Sequence, residues 1–379
     1  MKLIHLSDLH LGKRVNEFSM LEDQKYILRE ILEIIDREKP QIILIAGDVY
    51  DKSVPPAEAV ELFDDFLVRL ARRKLQVFVI SGNHDSAERI AFGGRLMDQS
   101  GIHMSPVYSG RVEPITLEDE HGPLHIYMLP FIKPAHVRRF FPDREIVTYT
   151  DAARVAVEEM HIDESERNLL MTHQFVTGAS RTESEEITVG GTDNIDASAF
   201  DGFDYVALGH IHRAQTCGAD HIRYCGTPLK YSFSEAGDEK TVTILDMGEK
   251  GHIDYQFVPL KPLRDLVEIR GSYAQLTDKS FYENTTYNED YMHVTLTDEE
   301  DVPEALSRLR LVYHNIMKLD YDNRRTRHQA QLDGGADVQH LSPFEQFSEF
   351  YRLQNGQSMS EEQSEFLRQM MEEIWEDEQ

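Results

Sequence analysis

The sequence is poor in cysteine and has no long apolar run. Only two cysteines, Cys217 and Cys225, occur in 379 residues, which favours free thiols in a reducing compartment over a disulfide-stabilised fold. No stretch of 18 apolar residues is present, so no membrane-spanning helix is expected. The first apolar run already ends at the acidic Asp8, which leaves no room for a secretory signal. These absences predict a cytoplasmic protein.

Basic residues are also scarce, and this limits what the chain could bind alone. There are 39 Lys and Arg against 68 Asp and Glu, which gives a formal net charge of −29. A protein that holds nucleic acid alone usually has a basic surface, because Lys and Arg contacts to phosphate supply most non-specific affinity. The charge therefore predicts either a small substrate or a basic partner that holds the nucleic acid.

Strands alternate with amphipathic helices along residues 1–262, which predicts a layered α/β domain. Helices are predicted at 20–39, 56–74 and 152–160. The later apolar runs HIRYCG, KTVTILDM and IDYQFVPL follow one another without long helices between them, which indicates hairpin-connected antiparallel strands. The two halves would form a mixed sheet or a two-sheet sandwich.

Three further segments follow a change of composition at Pro259 to Pro262. Residues 263–322 predict a small α/β domain, and residues 323–341 a linker. Residues 342–379 predict two amphipathic helices, and their stretch from Phe344 to Gln379 holds ten acids and two arginines. These helices are too short to bury their own apolar faces, so they would dock on a partner or fold back on their own domain.

Five short polar motifs each follow an apolar run that is typical of a β-strand. They are Asp8-Leu9-His10, Gly47-Asp48-Val49-Tyr50-Asp51, Gly82-Asn83-His84-Asp85, His173 and Gly209-His210-Ile211-His212. In an open α/β sheet, residues just past the carboxyl ends of neighbouring strands converge on one crevice. A mixed set of carboxylate, amide and imidazole ligands suits a pair of divalent metal ions. The motifs therefore predict a two-metal phosphoesterase centre.

The candidate metal ligands share this position at a strand end: Asp8, His10, Asp48, Asn83, His173, His210 and His212. Asp48 is the best candidate for a carboxylate that bridges the two ions. A water shared between two dications becomes hydroxide near neutral pH and is placed for in-line attack on phosphorus. The motifs thus predict both the metal site and its nucleophile.

His84 adjoins Asn83 but is expected to point towards the leaving oxygen, where an imidazolium could protonate the departing alkoxide. A carboxylate that orients it would favour its charged form. Asp51 is the first candidate for that carboxylate and Asp85 is the second. His84 and Asp51 are therefore the predicted catalytic pair.

In this order, the five motifs resemble the signature of the calcineurin-like metallophosphoesterase family. Longer strings resemble the nuclease subunits of that family that work with an SMC-like ATPase: HLSDLHLGK, AGDVYDKSVPP, SGNHDSAER, LGHIHRAQ and YCGTPLKYSFSEA. The similarity runs from Met1 to at least Glu235 and returns in SPFEQFSEFYRLQNG. It implies a mixed two-sheet α/β sandwich, a capping domain at 263–322 and C-terminal helices that dock on the ATPase.

The resemblance also implies how the ligands divide between two manganese ions, with magnesium as a possible substitute. One ion would take Asp8, His10, Asp48 and His212, and the other Asp48, Asn83, His173 and His210. The family acts as a homodimer. Its activities are ATP-dependent exonuclease on double-stranded DNA and endonuclease on single strands and hairpins. A locally basic rim at Lys13, Arg14 and Arg89 would then meet the DNA.

Two other functions remain open at this point. A phosphoesterase acting on a small molecule or a phosphoprotein would explain the metals and the acidity but leaves the extra domain and helices without a purpose. An inert scaffold that regulates an ATPase through its C-terminal helices would have no need of both Asn83 and His84.

Overall fold

The computed structural model describes residues 1–185, 194–324, 326, 347–348, 351, 359–360, 363–364 and 366–367. Within them the strands, in chain order, are β1 (Lys2–Leu6), β2 (Arg14–Val15), β3 (Phe18–Ser19), β4 (Ile42–Ala46), β5 (Gln76–Ile80), β6 (Ile102–Met104), β7 (Ile115–Asp119), β8 (Gly122–Leu129), β9 (Arg167–His173), β10 (Phe175–Val176), β11 (Asn194–Ile195), β12 (Tyr205–Gly209), β13 (Gln215–Cys217), β14 (Ala219–Tyr224), β15 (Thr241–Met247), β16 (Ile253–Pro259), β17 (Leu266–Gly271), β18 (Tyr291–Leu296) and β19 (Asn315–Tyr321).

The helices of the described residues are α1 (Leu21–Glu38), α2 (Ala57–Arg72), α3 (Ala87–Ile90), α4 (Gly94–Met97), α5 (Pro134–Arg138), α6 (Tyr149–Glu158), α7 (Tyr273–Leu276), α8 (Lys279–Tyr282) and α9 (Ala305–Leu309). Single 3-10 turns occur at Asp98–Ser100, Ala197–Phe200 and Phe233–Glu235. The helices predicted from apolar spacing at 20–39, 56–74 and 152–160 correspond to α1, α2 and α6. None of the described helices is both long and apolar enough to cross a membrane.

Two six-stranded mixed sheets form the framework. The first has the order β16-β15-β1-β4-β5-β6, in which β1, β4, β5 and β6 are parallel and β15 is antiparallel to both of its neighbours. The second has the order β13-β14-β12-β9-β8-β7, with antiparallel pairs only at its two edges. Parallel neighbours need a crossover connection, which α1 and α2 provide in the first sheet.

The alternation of side chains along each strand separates three cores. In β4, Leu44 faces a core shared with Leu169 and Tyr205 of the second sheet, whereas Ile43 and Ile45 face the helices outside. The helices α1 and α2 bury their apolar faces on that outer side, and α6 does the same on the second sheet. The result is the predicted mixed two-sheet α/β sandwich, which is confirmed.

The chain divides into two compact units: residues 1–268 with 285–293 and 310–318, and the described residues from Ile269 onwards outside those ranges. Strands β17, β18 and β19 form a separate three-stranded sheet. The boundaries predicted at 262, 322 and 341 stay predictions.

The predicted linker 323–341 and helices 342–379 lie almost wholly outside the described residues. Where they are described, Ser360 N–H donates to Gln363 Oε1 (2.9 Å) and Gln363 N–H donates to Ser360 Oγ (3.2 Å). These are the two reciprocal bonds of a capping box.

Asp119 stabilises one end of the sandwich through an ion pair with Arg167. The Arg167 Nη2 and Asp119 Oδ1 atoms are 2.5 Å apart, and the two side chains are 3% and 10% exposed. Burial alone would raise the pKa of Asp119, but the bonds from Arg167 and from the His121 backbone outweigh burial and hold the pKa well below its ordinary value. A lowered folded-state pKa stabilises the fold above about pH 4, and this contribution is lost as the pH falls.

We therefore expect Asp119→Ala to lower the free energy of unfolding at pH 7 by about 3 kcal/mol, because it leaves a buried guanidinium without its carboxylate. Urea unfolding at pH 7 and at pH 3 measures this, and the difference from the parent should shrink at the lower pH. Asp254→Ala is the matched control, since its carboxylate is 79% exposed beside His252. Equal stability of the two variants at pH 7 would contradict the assignment.

Candidate metal centre

Five neighbouring strands from both sheets deliver the predicted ligands to one place. The ligand-bearing positions follow β1, β4 and β5 in the first sheet and lie at or after the ends of β9 and β12 in the second. All of the predicted ligands meet there: Asp8, His10, Asp48, Asn83, His173, His210 and His212. Convergence at strand ends therefore occurs between two facing sheets as well as within one.

Four of these residues have backbone conformations that L-amino acids adopt rarely. The φ angles are 52° at Asp8, 45° at His10, 48° at Asp48 and 103° at His210. Such conformations cost roughly 1–3 kcal/mol each and cluster at functional sites. Hydrogen bonds from Asp8 N–H to Gly47 O (3.0 Å) and from His10 N–H to Asp48 O (2.9 Å) hold the two loops together.

Two glycines allow the sheets to approach closely at this point. A Cβ atom on Gly82 would lie 2.1 Å from Asp48 Oδ1, and one on Gly209 would lie 1.9 Å from the carbonyl oxygen of Ala46. Any larger residue would displace the Asp48 carboxylate or separate the strands. These contacts give the glycines of the GNHD and GHIH motifs a physical role.

The ligand atoms form two groups joined by Asp48. In the first, Nε2 of His10 and Nε2 of His212 are 3.1 Å apart. A carboxylate oxygen of Asp8 lies within 4.8 Å of a ring nitrogen of each histidine. In the second, Oδ1 of Asn83 lies 3.0 Å from Nε2 of His173 and 2.9 Å from Nδ1 of His210.

Asp48 contacts both groups. Its Oδ2 atom is 3.2 Å from Nε2 of His173 and 3.7 Å from Nε2 of His10. Its Oδ1 atom accepts a hydrogen bond from the backbone N–H of His84 at 2.9 Å. The carboxylate is therefore fixed between the two groups of ligand atoms.

The donor set fits a pair of divalent metal ions. Six of the seven side chains are at most 8% exposed: Asp8, His10, Asp48, His173, His210 and His212. Buried ring nitrogens and carboxylate oxygens whose lone pairs face one another are stabilised by a shared cation. Imidazole, amide and carboxylate donors together suit hard-to-borderline dications.

The charges of the ligands are mutually dependent. Burial raises the pKa of Asp8 to about 6 and holds the pKa of His10 well below its ordinary value. Burial would also lower the pKa of His173, but the neighbouring Asp48 carboxylate outweighs it and raises that pKa to about 9. Asp48 and His173 thus compensate each other's charge in the protein itself.

A chain of buried polar groups orients His212 from behind. Its Nδ1–H donates to Ser184 Oγ (2.6 Å), which donates to Glu235 Oε1 (2.7 Å), and Glu235 pairs with Lys240 Nζ (2.6 Å). The bond at Nδ1 leaves Nε2 unprotonated and directed at His10. Such outer contacts fix the tautomer and orientation of a metal-binding histidine.

Sequence reasoning assigned no role to Ser184, Glu235 or Lys240. Glu235 lies inside one of the strings that carry the family resemblance, but no spacing rule connects it with His212. Only that string could have drawn attention to it.

His84 contacts Asp51 in a different way from the one predicted. Its Nδ1–H donates to the backbone carbonyl of Asp51 at 3.0 Å, whereas the Asp51 carboxylate pairs with Lys13 Nζ at 2.7 Å. Asp85, the second candidate, accepts bonds from three backbone N–H groups instead. The predicted carboxylate contact is therefore replaced by a carbonyl contact, because both carboxylates already have other partners.

The predicted basic rim is uneven. Lys13 is tied to Asp51, whereas Arg14 and Arg89 are exposed. Of the three residues, the two arginines thus present their charge to solvent.

Comparison with known proteins gives matches along most of the chain. The calcineurin-like phosphoesterase family matches residues 1–214, and the family described as type 5 capsule protein repressor C-terminal domain matches residues 262–355. The SbcD subunit of the SbcCD nuclease from Staphylococcus epidermidis is 32% identical over an alignment of 380 residues that covers 98% of each chain. The protein of the same name from Staphylococcus saprophyticus is 32% identical over 378 residues, again 98% of each.

Because Ser184 links His212 to Glu235, we expect Ser184→Ala to weaken Mn²⁺ binding at His212 by about 10- to 100-fold. Isothermal titration of the metal-free protein with MnCl₂ measures the affinity, and circular dichroism checks the fold. Ser165→Ala is the matched control, since it removes an exposed hydroxyl that bonds within its own loop, to Asp163. Parallel titration curves for the two variants would show that the Ser184 bond does not support the site.

Proposed function

Since the chain belongs to the calcineurin-like phosphoesterase family and to the group of SbcD nuclease subunits within it, we propose that it cleaves DNA as the nuclease subunit of a complex with an SbcC-type, SMC-like ATPase. It is a metal-dependent nuclease, because the similarity to those nuclease subunits covers 98% of the chain. The observation that carries the proposal is the grouping of both ligand sets around Asp48 in a chain of this family.

The proposed activities are exonuclease on double-stranded DNA, dependent on the partner ATPase, and endonuclease on single strands and hairpins. The charge of −29 supports a division of labour in which a partner holds the duplex. The same charge also supports the second candidate, a phosphoesterase for a small molecule or phosphoprotein.

We propose that two Mn²⁺ ions occupy the centre, one held by Asp8, His10, Asp48 and His212 and the other by Asp48, Asn83, His173 and His210. Bound there, the ions would lower the pKa of a water for attack on phosphorus and neutralise charge on the phosphoryl oxygens. The carbonyl of Asp51 accepts the Nδ1–H of His84 and so orients the ring, and in its imidazolium form His84 would give its Nε2 proton to the leaving oxygen.

The C-terminal segment 342–379 is the proposed docking site for the ATPase. The family match that extends to residue 355 and the relatives' name support this proposal.

We also propose a homodimer, with an interface at the exposed Phe92 and Leu96, which are 83% and 81% accessible. A monomeric mass in light scattering would exclude it. The free thiols Cys217 and Cys225 support a cytoplasmic location.

Cleavage of a labelled hairpin-ended duplex in manganese tests the proposal. We expect cutting that requires Asp48 and that increases on duplex DNA when an SbcC-type ATPase and ATP are added, whereas Asp48→Ala should lose both metal and cleavage. If the protein cut no DNA but hydrolysed a simple phosphodiester, the metal centre would stand and the substrate would be a small molecule.

His84→Ala should retain two bound metal ions and lose about two to four orders of magnitude in cleavage rate, because only the proton donor is removed. Metal analysis by mass spectrometry and single-turnover cleavage together separate the two effects. Loss of a metal ion from this variant would refute the role of His84 in proton transfer.

Phe366→Glu should abolish co-purification with the ATPase and leave hairpin cleavage by the isolated protein intact. Phe366 is 67% exposed, so the charge would disturb an interface rather than a core. Leu311→Glu is the matched control, because Leu311 is 82% exposed in another part of the chain. Equal partner binding by both variants would argue against docking through this segment.

A further inference from the structure

One segment of this acidic chain is locally basic and aromatic. Residues 131–142, with the sequence FIKPAHVRRFFP, contain Lys133, Arg138 and Arg139 and no acid, in a chain whose net charge is −29. The segment begins just after β8 and forms α5. Among the described residues, neither Lys133 nor Arg139 forms an ion pair, so both charges are available to a ligand.

This segment forms one wall of a cavity that adjoins the candidate metal centre at Asn83. The cavity has a volume of about 470 Å³ and is lined by Lys133, His136, Arg139 and Phe140 on one side and by the loop from Ser81 to Glu88 on the other. Asn83 belongs to both the cavity and the metal centre, where its Oδ1 atom contacts His173 and His210.

The cations of the cavity wall lie beside aromatic rings. Lys133 Nζ is 5.9 Å from the ring centroid of Phe131, and Arg139 Cζ is 5.8 Å from that of Phe140. The Phe131 ring lies 6.4 Å from the ring of the metal-centre residue His173. Cations that follow a backbone and aromatic faces that stack on bases are the two elements of single-strand recognition.

We propose that this cavity holds an unpaired nucleotide next to the scissile phosphate of single-stranded DNA, with its phosphates on Lys133 and Arg139 and its base on Phe140. The inference rests on the proposed nuclease function and identifies the part of the substrate strand that the metal centre itself does not hold. The DNA strand extends on both sides of a phosphodiester placed at the metal centre. The cavity would receive the part of the strand on the Asn83 side.

The opposite wall limits where the phosphates lie. It holds the acidic residues Asp85 and Glu88; Asp85 is occupied by three backbone N–H groups and Glu88 accepts from Ser86 Oγ at 2.9 Å. Phosphate groups are repelled from that wall and attracted to the α5 side. One wall of the cavity is therefore acidic and the other basic, so that a bound strand would place its phosphates against α5.

Binding of a fluorescent oligothymidine to the metal-free protein tests the cavity without any cleavage. Lys133→Glu with Arg139→Glu should weaken binding at least about tenfold and flatten the log–log salt dependence by about 0.7 for each lost phosphate contact. Phe140→Ala should weaken binding by about tenfold through loss of stacking, with little change in the salt slope.

Arg72→Glu with Lys74→Glu is the matched control. These two cations line a different cavity, whose lining includes no residue of the metal centre, and the substitutions change the net charge by the same amount. The control should bind oligothymidine as the parent does. If the control and the Lys133/Arg139 variant lost affinity equally, net charge would explain the effect and the proposed site would be overturned.

A kinetic measurement separates this inference from the nuclease proposal. In manganese, the Lys133/Arg139 variant should lose at least about tenfold more kcat/KM on a single-stranded oligonucleotide than on bis(p-nitrophenyl) phosphate, which has no nucleotide to place. An equal loss on both substrates would overturn the cavity assignment while leaving a nuclease. A parent protein that binds the oligonucleotide through the cavity but never cuts it would instead overturn the nuclease proposal.

Discussion

The position of one buried carboxylate, Asp48, is the constraint on which the metal centre depends. It can contact His10 and His173 at once only because it leaves β4 with a φ of 48° and because Gly82 has no Cβ atom to occupy the same space. Its second oxygen also fixes the backbone of His84. The two ligand groups and the proposed proton donor are thus placed by one side chain at the meeting of two sheets.

Burial makes this arrangement electrostatically demanding. Removing carboxylates and imidazoles from water favours their neutral forms, and only opposite charges nearby reverse that preference. Asp48 and His173 supply those charges to each other. His212 instead relies on a path through Ser184 to the Glu235–Lys240 ion pair, so the protein orients this ligand from outside the metal-facing surface. Residues outside the metal-facing surface therefore orient a side chain that faces it, through hydrogen bonds.

The sandwich, and the meeting of the predicted ligand side chains at one place, could be predicted because both depend on where the strands run and end. Alternation within strands separates inner from outer faces, and the polar motifs lie where those strands end. The Ser184–Glu235 bond could not be predicted, since it joins residues 51 positions apart through side chains common in ordinary loops. Which atom of Asp51 contacts His84 could not be predicted either. Every residue has a backbone carbonyl, so the sequence does not show which carbonyl will accept a hydrogen bond.

The acid excess and the use of a polyanionic substrate are compatible if attraction is confined to one place. Lys13 was a natural candidate for the basic rim, but its charge is compensated by Asp51. Lys133 and Arg139 have no such acid beside them in the described structure and lie on the cavity that contains Asn83. In the proposed arrangement, repulsion over most of the surface would disfavour unproductive binding, whereas the short basic segment beside the candidate metal centre would favour a strand that enters the cavity.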